Sequence, residues 1–399
     1  MKKVTTLSIL TIVLLTGCGS SDVVAPLEPI TKQKLGEKLF FDTSISLDRK
    51  TSCSTCHNPE HGFVDVRFSE EGVNQNVFVH GAFSVGDDDL SLGGRNAPTA
   101  AYAQFSPEFN QMSDGNYSGG QFHDGRAATL KIQAMGPPLD GAEMMMPEKY
   151  SVVERLKENP QYVEDFKTLY GDGIFDDIDA SYDAMADSIA KFEKTEEFAP
   201  FDSKYDRFKR GEYTMTAKED LGYSLFFSQA NTNCATCHTL NSKSESPNEL
   251  FTNYEYENIG TPRNIEAMNA RATLGLQDAN ATFAGLGGTV KESDENWRAH
   301  LGKTKVPTLR NIAVTGPYMN NGVFKDLTTV LEFYDHMAGQ GNHAINPETG
   351  EAWGENDNSA TINHKDLEAT KALSDSKIAG LESFLNMLTD KRYEYLIEE

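Results

Sequence analysis

Two copies of one five-residue motif constrain this chain more than anything else in it: Cys53-Ser54-Thr55-Cys56-His57 and Cys234-Ala235-Thr236-Cys237-His238. In an exported protein, Cys-x-x-Cys-His spacing lets two thiols add to the two vinyl groups of one haem while the adjacent imidazole reaches the iron. A thioredoxin-like redox pair has no use for a histidine at the next position twice over. A zinc site needs its second pair nearby, and here that pair lies in the other half of the chain. The motifs therefore predict two covalently bound c-type haems, attached through Cys53, Cys56, Cys234 and Cys237, with His57 and His238 as proximal iron ligands. The chain holds five cysteines, so only Cys18 is left over. Neither a disulfide nor cysteine-based nucleophilic catalysis has residues to work with.

Cys18 has a separate reading. Lys2 and Lys3, followed by an apolar run with Ile9, Leu10, Ile12, Val13, Leu14 and Leu15, make residues 1–17 a secretory leader too short to span a bilayer. The leader ends in Leu15-Thr16-Gly17-Cys18, which resembles the bacterial lipoprotein box, where the thiol is acylated and cleavage leaves that Cys as the first residue. Buried acyl chains contribute roughly 0.8 kcal/mol per CH₂, so several of them hold a protein stably at a membrane while its domains stay in water. Residues 18–30 then form a tether. Gly19 and Ser20 supply no Asp retention signal, which points to a lipid-anchored periplasmic protein at the outer rather than the inner membrane. Composition excludes other classes: with 38% hydrophobic residues and a formal charge of −24, the chain is globular, repels nucleic-acid phosphates and favours a cationic protein partner.

The surroundings of the two motifs look like copies. Leu35-Gly36-Glu37-Lys38-Leu39-Phe40-Phe41 precedes the first and Leu221-Gly222-Tyr223-Ser224-Leu225-Phe226-Phe227 the second, both on amphipathic helical spacing, with Thr216 and Glu219 as a capping box for the second. Arg95-Asn96-Ala97-Pro98-Thr99 is echoed by Pro307-Thr308-Leu309-Arg310-Asn311. Ile178, Tyr182, Met185, Ile189 and Phe192 share one helical face, as do Ile378, Leu381, Leu385 and Leu388. The fold expected is mainly α, with two cytochrome c-like haem domains, long loops and few strands. The domains are residues 31–200 and 201–399, with a junction at Glu196–Asp202. The polar, Gly-rich stretches 66–94 and 241–300 show no period and are expected as long loops over the haem edges.

An ordered set of short sequences then carries a family resemblance: Phe40-Phe41-Asp42, Gly62-Phe63-Val64-Asp65, Arg95-Asn96-Ala97-Pro98-Thr99, Asp124-Gly125-Arg126-Ala127, Gln133-Ala134-Met135-Gly136-Pro137, Glu143-Met144, Pro307-Thr308-Leu309-Arg310-Asn311 and Gly316-Pro317-Tyr318. From about residue 30 to 390 the chain resembles the bacterial di-haem cytochrome c peroxidase and MauG superfamily. The resemblance implies that the N-terminal haem reacts with peroxide, with Gln133, Pro137 and Glu143 on its distal side. A carboxylate there could take a proton from the inner peroxide oxygen and deliver it to the leaving one. It implies that the C-terminal haem transfers electrons. Its second axial ligand is usually Met in the peroxidases and Tyr in MauG, and the matching segment ends at Tyr334, with Met337 as the competing ligand. A phenolate stabilises ferric and higher iron, whereas a thioether raises the potential.

The resemblance also implies one Ca²⁺ between the haems, at Asn96, Thr315 and Pro317, where oxygen-only ligation suits a hard cation that keeps its water shell. Two departures stand out. His123 occupies the inter-haem position usually held by Trp; imidazole is harder to oxidise than indole, and His123 is either a pH-sensitive spacer or a stray ligand. For the switchable distal histidine of many peroxidases His80 is the nearest candidate, farther from Asn96 than the pattern expects, and His61 is the other.

The leading functional reading is a periplasm-facing peroxidase that reduces hydrogen peroxide to water with electrons from a small soluble cytochrome c or cupredoxin. The alternative is a MauG-like oxidase that stores two oxidising equivalents as high-valent haem iron and oxidises a protein side chain. A third reading is a non-catalytic electron-transfer lipoprotein. The peroxidases it resembles are often dimers, so a homodimer is a further expectation.

Overall fold

The computed structural model describes residues 29–67, 81–240, 248–276 and 283–397. The expected leader, Cys18, nearly all of the tether and His80 lie outside them.

The two Leu-Gly-x-x-Leu-Phe-Phe sequences form helices Lys32–Phe40 and Ala217–Phe226. Thr31 caps the first by accepting the Lys34 N–H, and Thr216 with Glu219 makes the capping box of the second. Each crosses a longer helix, Ile178–Phe192 in the first half and Asp375–Asn386 in the second. The glycine marks the crossing point. A Cβ on Gly36 would stand 1.9 Å from the Ser188 carbonyl oxygen, and one on Gly222 would stand 1.9 Å from that of Gly380. No side chain fits at either place, so the two backbones meet directly and the flanking leucines and phenylalanines close over the contact. Phe40 packs edge-on against Phe192 and Phe198, and Phe226 packs against Phe384 and Phe251. Each such burial contributes about 1.5–3 kcal/mol.

The repeat extends further, into the echoed segments 95–99 and 307–311. The structural equivalence runs through Pro98-Thr99 and Pro307-Thr308. Thr99 Oγ1 donates to the Gly62 carbonyl and Thr308 Oγ1 to the Leu250 carbonyl. Each Thr hydroxyl also accepts a backbone N–H two residues on, from Ala101 and Arg310. Three residues after each Thr comes a left-handed residue, Tyr102 and Asn311, both at φ 61°. A short 3₁₀ turn follows in each case, Ala103–Phe105 and Ile312–Val314.

The strands are few and short, as a mainly α fold predicts: Asn110–Gln111 pairs antiparallel with Tyr117–Ser118, and Tyr256–Glu257 with Thr304–Lys305. The 241–300 stretch departs from the expected loop, because it contains a helix at Ile265–Thr273 and short turns at Leu286–Thr289 and Trp297–His300. Its period was hidden because this helix buries a cation: Arg271 is buried and donates to the carbonyls of Leu92 and Gly93. In the Glu196–Asp202 segment Glu196 and Glu197 are exposed, but the residues after them pack inward. Phe198 is fully buried and stacks on Phe63 at 4.2 Å, and Phe201 meets Tyr102 edge-on at 4.9 Å. Leu250 and Tyr254 from the second half join the core of the first. No helix among the described residues is long and apolar enough to cross a membrane.

Candidate active site

The Cys-x-x-Cys-His segments sit at equivalent places in the two halves. Cys53–Cys56 form a single helical turn begun by a Ser52/Thr55 capping box, and Cys234–Thr236 form a 3₁₀ turn. All four thiols are free of disulfides. Burial pushes those of Cys56 and Cys237 up to about 12, which favours the protonated thiol over the thiolate.

The imidazoles are fixed in the same way in both halves. His57 Nδ1 donates to the Phe63 carbonyl at 3.1 Å and His238 Nδ1 to the Phe251 carbonyl at 2.9 Å. Phe63 and Phe251 are both fully buried and both left-handed, at φ 58° and 54°. That conformation turns each carbonyl towards its histidine, and the carbonyl before it is the one held by Thr99 or Thr308. Burial lowers the pKa of both imidazoles, so each is neutral with its proton on Nδ1 and the Nε2 lone pair available to a metal.

Around the first motif lies a cavity of about 560 Å³, within the roughly 300–1,000 Å³ typical of cofactor pockets. Its walls include Cys56, His57, Asn96, His123, Gln133, Pro137 and Glu143, so residues scattered over the sequence converge on one space. Gln133 lies near the end of helix Leu130–Ala134, which Thr129 caps by accepting the Ile132 N–H. The chain then turns through Pro137–Leu139 and folds back, with the Met144 N–H donating to the Pro137 carbonyl and that of Met146 to the Pro138 carbonyl. That reversal holds Glu143 beside Pro137. Burial, helped by the nearby Asp140 charge and opposed by Arg126, moves the Glu143 carboxyl up to about 7. A carboxyl poised at neutrality can both take and give a proton.

Other predicted residues sit differently. His123 Nε2 donates to the Asn96 carbonyl at 3.0 Å, its own carbonyl accepts the Lys305 N–H, and burial lowers it to about 4. Burial thus favours the neutral imidazole, and its Nε2 is engaged by a carbonyl. Thr315 and Pro317 do not line the cavity. The Asn96 N–H donates to the Asn320 carbonyl, which ties Asn96 to that loop. His61 forms part of the turn after the first motif, with its N–H on the Asn58 carbonyl, and is not among the cavity walls.

One cavity residue had no sequence signal. Glu193, directly after helix Ile178–Phe192, is 6% exposed, its Oε2 has no partner, and burial raises it to about 8. An acidic residue at the end of an apolar helix reads as a solvated cap. Only the tertiary structure turns it inward.

In the second half, Tyr334 lies on helix Leu327–Met337 close enough to Cys237 and Cys234 for both thiols to act on its phenol. Burial raises its pKa above the usual tyrosine value. Met337 packs its methyl against Gly260, where a Cβ would stand 2.8 Å from it.

A duplicated helical fold in which two Cys-x-x-Cys-His segments carry identically tethered imidazoles, one on the wall of a cavity that holds Glu143 and the other next to a cysteine pair with a tyrosine nearby, defines a di-haem c-type protein. The donor sets fit that cofactor: neutral histidines that keep their proton on Nδ1, each next to a pair of thiols in no disulfide. Comparison with known proteins agrees. The family model described as di-haem cytochrome c peroxidase matches residues 31–214. The chain is 41% identical over 388 residues to the methylamine utilization protein MauG of Paracoccus denitrificans, covering 97% of this chain and 95% of that one. It is 32% identical over 295 residues to the cytochrome c peroxidase Ccp of Escherichia coli, covering 73% and 50%. The crystal structure of the di-haem peroxidase BthA from Burkholderia thailandensis matches with a TM-score of 0.76 at 25% identity, covering 93% of this chain and 88% of that one. The chain belongs to the di-haem cytochrome c peroxidase family, together with MauG. It is an oxidoreductase with two c-type haems.

Proposed function

We propose that this protein activates hydrogen peroxide at its N-terminal haem and uses the two oxidising equivalents, in the manner of MauG, to oxidise a side chain of a protein partner. The haem, when bound, supplies the iron at which peroxide is reduced. Cys53 and Cys56 would attach it, His57 Nε2 would ligate it, and Cys234, Cys237 and His238 would serve the second haem in the same way. On the distal side Glu143 accepts the proton of the inner peroxide oxygen and returns it to the outer oxygen, which leaves as water. The Gln133 amide orients the bound peroxide, and Pro137 keeps bulk water from that face. Two electrons and two protons complete the reduction of one peroxide to two waters, and in this reading the electrons come from the partner's side chain.

The observation that carries this choice is Tyr334. It lies beside the second cysteine pair while the Met337 thioether is packed on Gly260, which supports the tyrosine-ligated arrangement over the methionine-ligated one. A phenolate ligand disfavours reduction and favours storage of oxidising equivalents. A cytochrome-fed peroxidase is the second reading, because Gln133, Pro137 and Glu143 serve both chemistries. Steady-state peroxide consumption with a reduced small cytochrome c decides between them: little turnover is expected, and rapid turnover would return the protein to the peroxidase reading. A total lack of reaction with peroxide would leave only an electron-transfer role.

Three further assignments belong to the same reading. Asn96, Thr315 and Pro317 would hold one Ca²⁺. Cys18 would carry the lipid anchor of an exported periplasmic protein. The charge of −24 suits a basic partner, whose docking should weaken with salt.

A further inference from the structure

The two halves of the repeat share one side chain. Tyr102 and Asn311, the matched left-handed residues, both point at Asp390: the Tyr102 hydroxyl donates to Oδ1 at 2.5 Å and Asn311 Nδ2 to Oδ2 at 2.8 Å, while the Asp390 N–H returns to Asn311 Oδ1 at 2.8 Å. Tyr102 is 1% exposed, and Asp390 and Asn311 are fully buried. The Phe63 carbonyl that holds His57 also accepts the Ala100 N–H, two residues before Tyr102. On the other side Asn311 follows Thr308, whose hydroxyl holds the Leu250 carbonyl next to Phe251, the residue that holds His238. A continuous path of short covalent and hydrogen-bonded steps thus joins the two proximal histidines, with Tyr102 and Asp390 at its centre.

A buried phenol has a specific redox chemistry. Loss of one electron makes it a strong acid, so oxidation is feasible only where a base is already aligned to take the proton. Asp390 is that base, within the range for direct transfer. The charged groups facing the pair are Arg310, whose guanidinium lies 5.5 Å from the Tyr102 ring but is neutralised by a bidentate pair with Asp206, and Asp202, which acts on Asp390. Burial holds Asp390 at about 6, so it is ionised and able to accept at neutral pH. His123, the residue at the expected inter-haem position, has no carboxylate acceptor and hydrogen-bonds a backbone carbonyl instead.

We propose that Tyr102 is a redox-active residue that carries one oxidising equivalent between the two haem sites. The Tyr102 phenol gives one electron to the peroxide-oxidised N-terminal site. Its O–H bond breaks as an O–H bond forms on Asp390 Oδ1, leaving a neutral phenoxyl radical beside a neutral carboxylic acid. An electron from the C-terminal site then refills the phenoxyl, and the proton returns from Asp390. This inference rests on the proposed reaction with peroxide, and Asn311 acts as a positioning residue that keeps Asp390 aimed at the phenol.

The test is freeze-quench EPR of the di-haem holoprotein mixed with hydrogen peroxide, with haem absorbance followed in parallel. A tyrosyl signal is expected that Tyr102→Phe removes and that 3,5-difluorotyrosine at position 102 splits by fluorine hyperfine coupling without disturbing the fold. Asp390→Asn, which cannot take the proton, should cut the signal roughly tenfold or more. A changed haem spectrum without any tyrosyl signal, or a signal that survives in Tyr102→Phe, overturns the inference. An unchanged haem spectrum counts against the peroxide reading instead. In that case flash-generated ruthenium(III) tris(bipyridine) supplies the oxidant, and the same presence or absence of a Tyr102-dependent signal decides.

Discussion

The two haem sites are alike on the side of the proximal histidine and different on the other. In both, a glycine-mediated helix crossing, a left-handed phenylalanine and a Pro-Thr turn place a neutral imidazole with its Nδ1 proton on a carbonyl. Opposite His57 the chain leaves a cavity walled by Gln133, Pro137 and Glu143, whereas beside Cys234 and Cys237 it sets Tyr334. The repeat supplies two equal holders, and the halves differ in what each places nearby. An open site with a neutral-range carboxyl suits chemistry on a small oxidant. A site facing a phenol suits storage of charge.

The largest break in this comparison should come from Glu143→Gln. It keeps the size and burial of the side chain and removes the proton carrier, so the rate of haem oxidation by peroxide should fall about 10²–10⁴-fold while both haems stay attached. Stopped-flow absorbance measures it, and a rate close to wild type would remove Glu143 from the chemistry. Tyr334→Met comes next. It should raise the potential of the second haem by a sizeable part of the roughly 0.8 V that axial ligands span, and should speed turnover with a reduced cytochrome. Spectropotentiometric titration of the variant gives the answer, and an unshifted potential would mean that Tyr334 is not a ligand.

A smaller effect tests the shared scaffold. Gly36→Ala and Gly222→Ala each force a methyl onto a backbone carbonyl, and each should cost about 1–3 kcal/mol in denaturant unfolding. A large loss at one position and none at the other would show that the two crossings are not equivalent. The smallest expected effect is a shift in a pH profile. Burial and Asp140 raise the Glu143 carboxyl to about 7, and the base form is the one that accepts the peroxide proton. The rate should therefore rise with pH through about 7. Asp140→Asn removes a like charge that raises this pKa, so the midpoint should move down, and an upward move would contradict the assignment of that charge.

Much of the first site was readable in the sequence because family motifs mark it: Gln133, Pro137 and Glu143 converge with His57 on one cavity. The two Leu-Gly-x-x-Leu-Phe-Phe helices were readable because their leucines and phenylalanines keep helical spacing, whereas their crossings at Gly36 and Gly222 came only from the structure. The Ile265–Thr273 helix was not readable, since the only residues it buries are the small Ala267 and Arg271, and the latter is satisfied by carbonyls. Glu193 was missed for a related reason: a buried acid has the same letter as a solvated one. The echo between residues 95–99 and 307–311 left the register open, because the Pro-Thr and Arg-Asn pairs occur in opposite order; the structure fixes it on Pro98-Thr99 and Pro307-Thr308, through hydroxyls that cap a carbonyl.

By itself the sequence determined what is covalent or local: two Cys-x-x-Cys-His attachment sites, two capped amphipathic helices and a mainly helical chain, because spacing of a few residues decides them. Only the tertiary structure decided which groups meet across long separations. It brought Glu193 into the cavity, fastened His123 to the Asn96 carbonyl, set Tyr334 near the second cysteine pair, and joined Tyr102 and Asn311 through Asp390. Burial and hydrogen bonding set the charge state of such groups, and both depend on neighbours that lie far away in the chain.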